Sequence, residues 1–509
     1  LEDQVLTIHF DKNLGDNVDE LDVEWENDFV LRRTLEKLYE IEDGDEDEYL
    51  QIARLFWPAH TLPEEEELAE DAESADDIDY SYLNDSQKDA MQKALHNRVL
   101  FVWGPPGTGK TATLGYVMAN YLKRGKRVLF ASNTNRAVDV GLLSVLESLQ
   151  KVGRNDLVEK TTRFGEPALE QKAVHDRHFD QILEQKKEGK KQKAAQWKRS
   201  LDRYFELTAK WEQAQESGEQ FPDVQESELE MLENKIEQFG GAEAVEDYIE
   251  SLVRVNELLE LDKFELVATT LARVCTSELF DQQKFDAVVV DEASMAMLPY
   301  LVVLASKSRE HLVVVGDPMQ LPPIAITNDK QARKLLEMDI FAFASRAKTS
   351  EDLFQWHDAH PSFTSFFDIQ YRLTSDLAAI ISDAFYEGRL QSAQSGMEIT
   401  EAETDSIYLI DSSPYKPKLE QEYGGRRFQP QNQVHQQLLL TVLEEFVIQR
   451  RVPMYEIGII VPFRHAVYKT IRLINEEGFN EVEVGTIHTF QGREKQLIIF
   501  DTVMSAEWK

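Results

Sequence analysis

Eight consecutive residues constrain this chain more than any others. Gly104-Pro105-Pro106-Gly107-Thr108-Gly109-Lys110-Thr111 fits the pattern G-x-x-x-x-G-K-[ST] in full. Its glycines let backbone N–H groups turn inward and approach phosphate oxygens with no Cβ in the way. Lys110 offers a flexible cation to the β and γ phosphates of a nucleoside triphosphate, and Thr111 offers a hydroxyl to Mg²⁺. The context agrees with the pattern. An apolar run, Arg98–Trp103, precedes it, and a helical run, Ala112–Lys123, follows with its positive end toward the same anion.

Two further segments extend that chemistry. Asp286–Ser294 is an apolar strand closing on two carboxylates. Asp291 is placed to hold the Mg²⁺ that bridges the phosphates, and Glu292 to polarise the attacking water. Such an acid pair alone is ordinary surface; after a phosphate loop, the metal-and-base reading prevails. Leu312–Leu321 is a second strand, ending in a Gly-Asp-Pro turn. The bland reading is a loop, and the functional one sets Gln320 where it feels the γ-phosphate.

Strand-like runs Arg127–Ser132, Leu266–Ala268, Ala287–Val290 and Leu312–Val315 alternate with helical segments, which predicts a parallel sheet covered on both faces. A second alternating block has strand candidates Ser406–Leu409, Ile457–Val461, Val482–Thr486 and Leu497–Asp501, and helices Thr374–Phe385, Gln433–Arg450 and His465–Glu476. Ser148–Leu261 carries no strand pattern. Trp197, Leu201, Tyr204 and Trp211 share one helix face, as do Leu229, Leu232, Ile236 and Phe239, and then Val245, Tyr248, Leu252, Val255 and Leu259. This predicts an inserted helical hairpin whose aromatic stripe is core, not a base-stacking platform. Its basic run, Lys186–Arg199, reads either as solvated helix or as a phosphate contact. Residues 1–82 read as an acidic appendage with a short strand at Val5–Phe10, a helix over Phe29–Tyr39 and a linker through Glu64–Asp79. That linker is a solvated tether or a nucleic-acid mimic over a basic groove. The predicted division is 1–82 acidic region and linker, 83–147 with 262–355 first sheet domain, 148–261 helical insertion, and 356–509 second sheet domain, incomplete.

The ordered set resembles the superfamily 1B helicases of the nonsense-mediated-decay and Senataxin-like group. Leu83-Asn84-Asp85-Ser86-Gln87 is similar to that group's adenine-reading segment, with Gln87 facing the base. Phe130–Asp139 resembles its strand-contacting segment, with two extra residues between Asn133 and Ala137. Gln370-Tyr371-Arg372, Phe385-Tyr386-Glu387-Gly388 and Gly485–Glu494 match later motifs. The resemblance implies an α/β fold of two RecA-like P-loop domains with parallel sheets, ATP and Mg²⁺ as cofactors, and 5′-to-3′ travel on single-stranded DNA or RNA. It further implies that Tyr371 stacks on the base, Arg372 reaches the γ-phosphate and Glu494 lies near the ribose. Thr113 joins the nucleotide set, and Asn133, Thr134, Thr270, Thr486 and His488 form the strand-contacting set. The group also carries a further arginine motif after the last matching strand, and this sequence stops at Lys509 before reaching it. The expectation is truncation there, with weak ATP hydrolysis as the alternative.

Composition bears on partners. A net charge of −38 opposes phosphate binding, yet much of the acid is concentrated near the N-terminus, and grooves are local. The single cysteine, Cys275, excludes an internal disulfide and a cysteine-cluster metal site. No apolar stretch approaches the ~20 residues that span a bilayer, and no secretory signal pattern opens the chain, so an intracellular protein, cytoplasmic or nuclear, is expected. Leu1 in place of Met predicts that part of the natural N-terminus is missing. The rival reading is an ATP-gated scaffold that binds a protein partner through the helical insertion or the acidic N-terminus, with weak ATPase activity and no unwinding.

Overall fold

The computed structural model describes residues 29–42, 44, 46–61, 81–217, 221–253, 257–325, 327–393, 407–421, 430–490 and 493–504. Seven parallel strands form the first sheet: β1 (Val99–Trp103), β2 (Val128–Ser132), β3 (Thr161–Arg163), β4 (Leu266–Thr270), β5 (Phe285–Val290), β6 (Ser308–Gly316) and β7 (Thr364–Phe366). Their order is β3-β4-β2-β5-β6-β1-β7. Both faces are covered, as the near-continuous apolar strands require. Val99, Phe101 and Trp103 of β1 join one core, together with Leu129, Val288 and Val314. Leu100 and Val102 point the other way, into the core that holds Phe130, Val289 and Val313. The period of two along each strand thus feeds two separate helix layers. Helices Asp85–His96, Lys110–Lys123 and Asn135–Lys151 close the second core. Helices Leu271–Thr276, Leu298–Ser306, Ile340–Ser345 and Ser350–Ala359 close the first.

Several expectations are corrected. The stretch expected to lack strands contains β3, which pairs with β4 at the sheet edge. Thr-Thr-Arg has no apolar signature, and its last residue is held by a buried ion pair, Arg163–Asp139 at 2.6 Å. Helix Asn135–Lys151 also runs past the expected boundary at residue 148. Strand β7 pairs with β1 although it lies beyond residue 355, so the first sheet takes in chain that was assigned to the second domain. The N-terminal region is not wholly an appendage. Helices Phe29–Glu42 and Glu46–Phe56 pack on the first domain, where Leu55 and Phe56 enter its core. Lys37 pairs with Asp281, and Gln51 Nε2 donates to Arg309 O at 2.9 Å. Strand Val5–Phe10, the linker Glu64–Asp79 and Ser406 lie outside the described residues, and Ile407–Leu409 belongs to no strand.

The insertion is helical as expected. It comprises Phe179–Ser217, Asp223–Phe239, Ala242–Val253 and Glu257–Leu261. Leu201, Ile236 and Val245 form its small core with Trp197 and Tyr204 packed against it. Trp197 meets Phe239 at 4.8 Å between ring centroids, which places the aromatic stripe inside rather than on a platform; Trp211 stays exposed. Ile457–Ile460, Glu483–Gly485 and Leu497–Phe500 make a separate three-stranded parallel sheet with Ile457–Ile460 central. No helix among the described residues is long and apolar enough to cross a membrane.

Candidate nucleotide site

The carboxyl ends of β1, β5 and β6 lie side by side, so the turns that leave them share one crevice. Leaving β1, the phosphate loop sets Gly107 and Gly109 at φ of +75° and +77°, a region that costs any residue with a Cβ. Lys110 folds back to donate from Nζ to Gly104 O at 2.7 Å. A Cβ at Gly104 would stand 2.3 Å from Lys110 Cγ, so glycine is what admits the lysine stem. Thr108 Oγ1 donates to Pro105 O at 2.7 Å and braces the turn. Thr113, expected in the nucleotide set, is buried and gives its hydroxyl to Gly109 O at 3.1 Å. Pro106 and Thr111 are half-buried at the loop's open side.

Gln87, expected to face the base, has both ends of its amide engaged. Nε2 donates to Thr108 O at 2.8 Å, and Oε1 accepts from Asn84 N at 3.0 Å in a capping box that starts helix Asp85–His96. Here the residue shapes the phosphate loop. Asn84 in turn donates from Nδ2 to the Tyr371 hydroxyl at 2.9 Å.

At the end of β5, Asp291 is buried and its pKa is pushed up to about 7, first by burial and then by the adjacent Glu292, against the pull of Lys110. Glu292 adopts φ +53°, a left-handed conformation that a glutamate rarely holds. Its Oε2 is buried with no hydrogen-bond partner, and its carbonyl accepts from Asn133 Nδ2 at 2.8 Å. Two carboxylates, one raised in pKa and one with an unmatched oxygen, suit a hard divalent cation with oxygen ligands.

A residue that sequence reasoning passed over organises the far wall. Asp317 is fully buried, and its Oδ1 accepts from Trp103 Nε1 at 3.0 Å and Met319 N at 3.1 Å. Its Oδ2 accepts from Gln320 Nε2 at 3.0 Å and from the Tyr386 hydroxyl at 2.7 Å. Gln320 is therefore oriented by Asp317. Tyr386 stood in view in the Phe385–Gly388 motif, but nothing in spacing tells that its hydroxyl reaches a strand end some seventy positions earlier.

The later motif closes on the loop from the opposite side. Gln370 Oε1 accepts from Arg372 N at 2.8 Å and Leu373 N at 2.6 Å, which fixes the turn. Tyr371 N donates to Gly107 O at 2.8 Å, and a Cβ on Gly107 would lie 2.5 Å from Arg372 Cβ. Lys110 and Arg372, far apart in sequence, thus flank one loop. Arg372 forms an ion pair with Glu494. Gln491 and Gly492 of that last motif lie outside the described residues.

The strand-contacting candidates separate into two groups. Ser132 and Thr270 are register partners at the ends of β2 and β4, with Asn133 and Thr134 following. Thr134 and Thr270 each cap a helix, accepting from Ala137 N and Arg273 N. Thr486 and the exposed His488 sit after strand Glu483–Gly485, where Thr486 bonds Thr489. Lys495, on the side of the second group, pairs with Glu483 at 3.0 Å and donates to Tyr455 O at 2.6 Å, and burial lowers its pKa. Asp139, part of the same motif, is structural. One oxygen pairs with Arg163 and the other accepts from Ala168 N and Leu169 N at 2.6 and 2.9 Å.

A parallel sheet with a phosphate loop, an acid pair and a Gly-Asp-Pro turn at its carboxyl edge defines a P-loop NTPase core. Two family models, each described as an AAA domain, match residues 82–328 and 349–509. An uncharacterized ATP-dependent helicase of Methanocaldococcus jannaschii is 27% identical over 83% of this chain and 63% of its own length. The DNA polymerase alpha-associated DNA helicase A of Saccharomyces cerevisiae is 27% identical over 84% of this chain and 60% of its own. A regulator of nonsense transcripts 1 homolog of Arabidopsis thaliana is 24% identical over 84% of this chain and 30% of its own. The chain spans about three fifths of the length of the first two of these curated relatives. It belongs to the superfamily 1 helicases, in the nonsense-mediated-decay and Senataxin-like group.

Proposed function

We propose that this chain is the ATP-driven core of a motor that travels 5′-to-3′ along a single strand of DNA or RNA, within a cell's cytoplasm or nucleus. The observation that carries the reading is the contact of Tyr371 and Arg372 with Gly107, on the loop that also presents Lys110. ATP would be held by Lys110 and the loop N–H groups on one side and by Arg372 on the other. When bound, Mg²⁺ would supply charge neutralisation at the phosphates from a position beside Thr111 and Asp291. Glu292 would take the proton of the attacking water, and Gln320, held by Asp317, would register the γ-phosphate. Arg372 would leave Glu494 for the phosphate and return after hydrolysis, a switch between two counter-charges. Asn133, Thr134, Thr270, Thr486 and His488 would face the strand. Relatives carry names of both a DNA helicase and a regulator of nonsense transcripts, so both polymers belong in the assay.

The test is ATP turnover with and without single strands. Lys110→Ala should abolish strand-stimulated phosphate release, and wild-type turnover in that variant rejects the site. Arg372→Ala should lower kcat by about 10³-fold or more, the scale of a lost arginine at a phosphoryl transition state. Turnover indifferent to either polymer would favour an ATP-gated scaffold. Docking of a protein partner on the insertion is part of that second reading, favoured by the exposure of Val224 and Met231, seven residues apart on helix Asp223–Phe239.

A further inference from the structure

We propose that Glu166, His178 and Asp180 bind a divalent transition ion of the zinc class at the joint between the first sheet and the helical insertion. The site lies away from the nucleotide crevice, at the sheet's outer edge. There the chain leaves β3, loops out, and returns so that His178 bridges Arg163 in parallel. His178 is 5% exposed, and neither ring nitrogen has a hydrogen-bond partner among the described residues. An imidazole always carries at least one N–H, and in its neutral form one lone pair as well, so both needs are buried unmet.

The surroundings of that ring supply what it lacks. Its Nε2 stands 3.6 Å from Asp180 Oδ2, too far for a hydrogen bond. One oxygen of Glu166 completes a set of three ligand atoms, all within 4.8 Å of one another. With metal bonds of about 2.0–2.1 Å, tetrahedral ligand atoms sit about 3.4 Å apart. The His178–Asp180 separation already has that spacing, and the exposed Glu166 needs only a small movement. Imidazole beside carboxylates selects zinc-class ions over magnesium and calcium, which favour all-oxygen shells. Of the neighbouring cations Arg163 and Arg273, Arg163 is paired with Asp139, and the two carboxylates supply the negative charge for a dication.

The supports of the ligands are rigid. Arg163 Nη2 donates to Glu166 O at 3.0 Å, and Asp139 holds the N–H groups of Ala168 and Leu169. Asp180 occupies the first turn of helix Phe179–Ser217. An ion here would therefore pin the root of that 39-residue helix to the sheet edge and set the direction in which the insertion projects.

The experiment uses the full chain, stripped with chelator and titrated with Co²⁺ in excess Mg²⁺ so that the nucleotide site takes the hard cation. One Co²⁺ per chain with visible d–d bands, displaced by Zn²⁺, is expected, together with slower amide exchange over residues 164–183. His178→Ala should lose the bands. Glu166→Gln and Asp180→Asn change exposed side chains and spare the fold, and each should weaken Co²⁺ binding about tenfold or more. Absence of stoichiometric Co²⁺ binding in the wild type overturns the proposal. So does Co²⁺ affinity unchanged in both carboxylate variants, which would leave His178 and Asp180 as a plain ion pair.

Discussion

At the residue scale, buried carboxylates do most of the organising. Asp317 has four donors around it, one of them the Tyr386 hydroxyl. Tyr386→Phe removes a hydrogen bond to a charged group and should destabilise the protein by about 1.5–3 kcal/mol in urea unfolding. It should also slow turnover, because Gln320 shares the same oxygen. Arg163→Met leaves Asp139 charged, buried and short of its partner, a loss of about 3–5 kcal/mol by the same measurement. Asp291 behaves differently. Its folded pKa of about 7 lies above its unfolded value, so the folded state holds a proton that the unfolded state has released. Its contribution to stability is therefore greatest at low pH and falls as pH rises from about 4 to about 7. In melts of nucleotide-free protein, the advantage of Asp291→Asn over wild type should grow across that window and level off above it. Mg²⁺ with nucleotide should erase the difference in wild type by returning a counter-charge to the carboxylate.

At the element scale, the N-terminal helices are part of the first domain rather than cargo. Leu55 is buried against the core, whereas Leu35 is half exposed one helix earlier. Leu55→Ala should cost about 2–5 kcal/mol in denaturant midpoint measurements, while Leu35→Ala should change little. This explains what was legible. Strands β1, β2, β5 and β6 are runs of Val, Leu and Phe beside motifs, and both signals agree. β3 and β7 are three residues each and rich in Thr and Ser, so they are strands only because a longer neighbour offers its open edge. Ile407–Leu409 makes the complementary point: three apolar residues without such a neighbour among the described residues form no strand, and Leu409 is 94% exposed. The acidity of residues 1–82 concealed Leu55 and Phe56, since a window dominated by Asp and Glu masks a short apolar face. In the site, residue types at fixed spacing were readable; the bonds that tie Gln87 to Thr108 and Asp139 to Arg163 depend on chain that returns from elsewhere.

At the scale of the whole molecule, two features compete: a charge of −38 and a surface that would have to accept a polyanion. Strand-stimulated turnover should therefore fall steeply between 50 and about 200 mM salt, with basal turnover much less affected, because only strand capture releases counterions. One bond would connect the two proposed activities. Asn133, proposed to face the strand, follows β2 and holds the carbonyl of Glu292, whose peptide is twisted into a left-handed pose beside the phosphate loop's crevice. Under the proposed function, a tug on the track would be delivered through this amide to the backbone of Glu292, as a clutch plate takes up an engine. Severing that link with Asn133→Ala should collapse the ratio of stimulated to basal phosphate release toward one: the cylinder would still fire, but loading the track would no longer change its tempo.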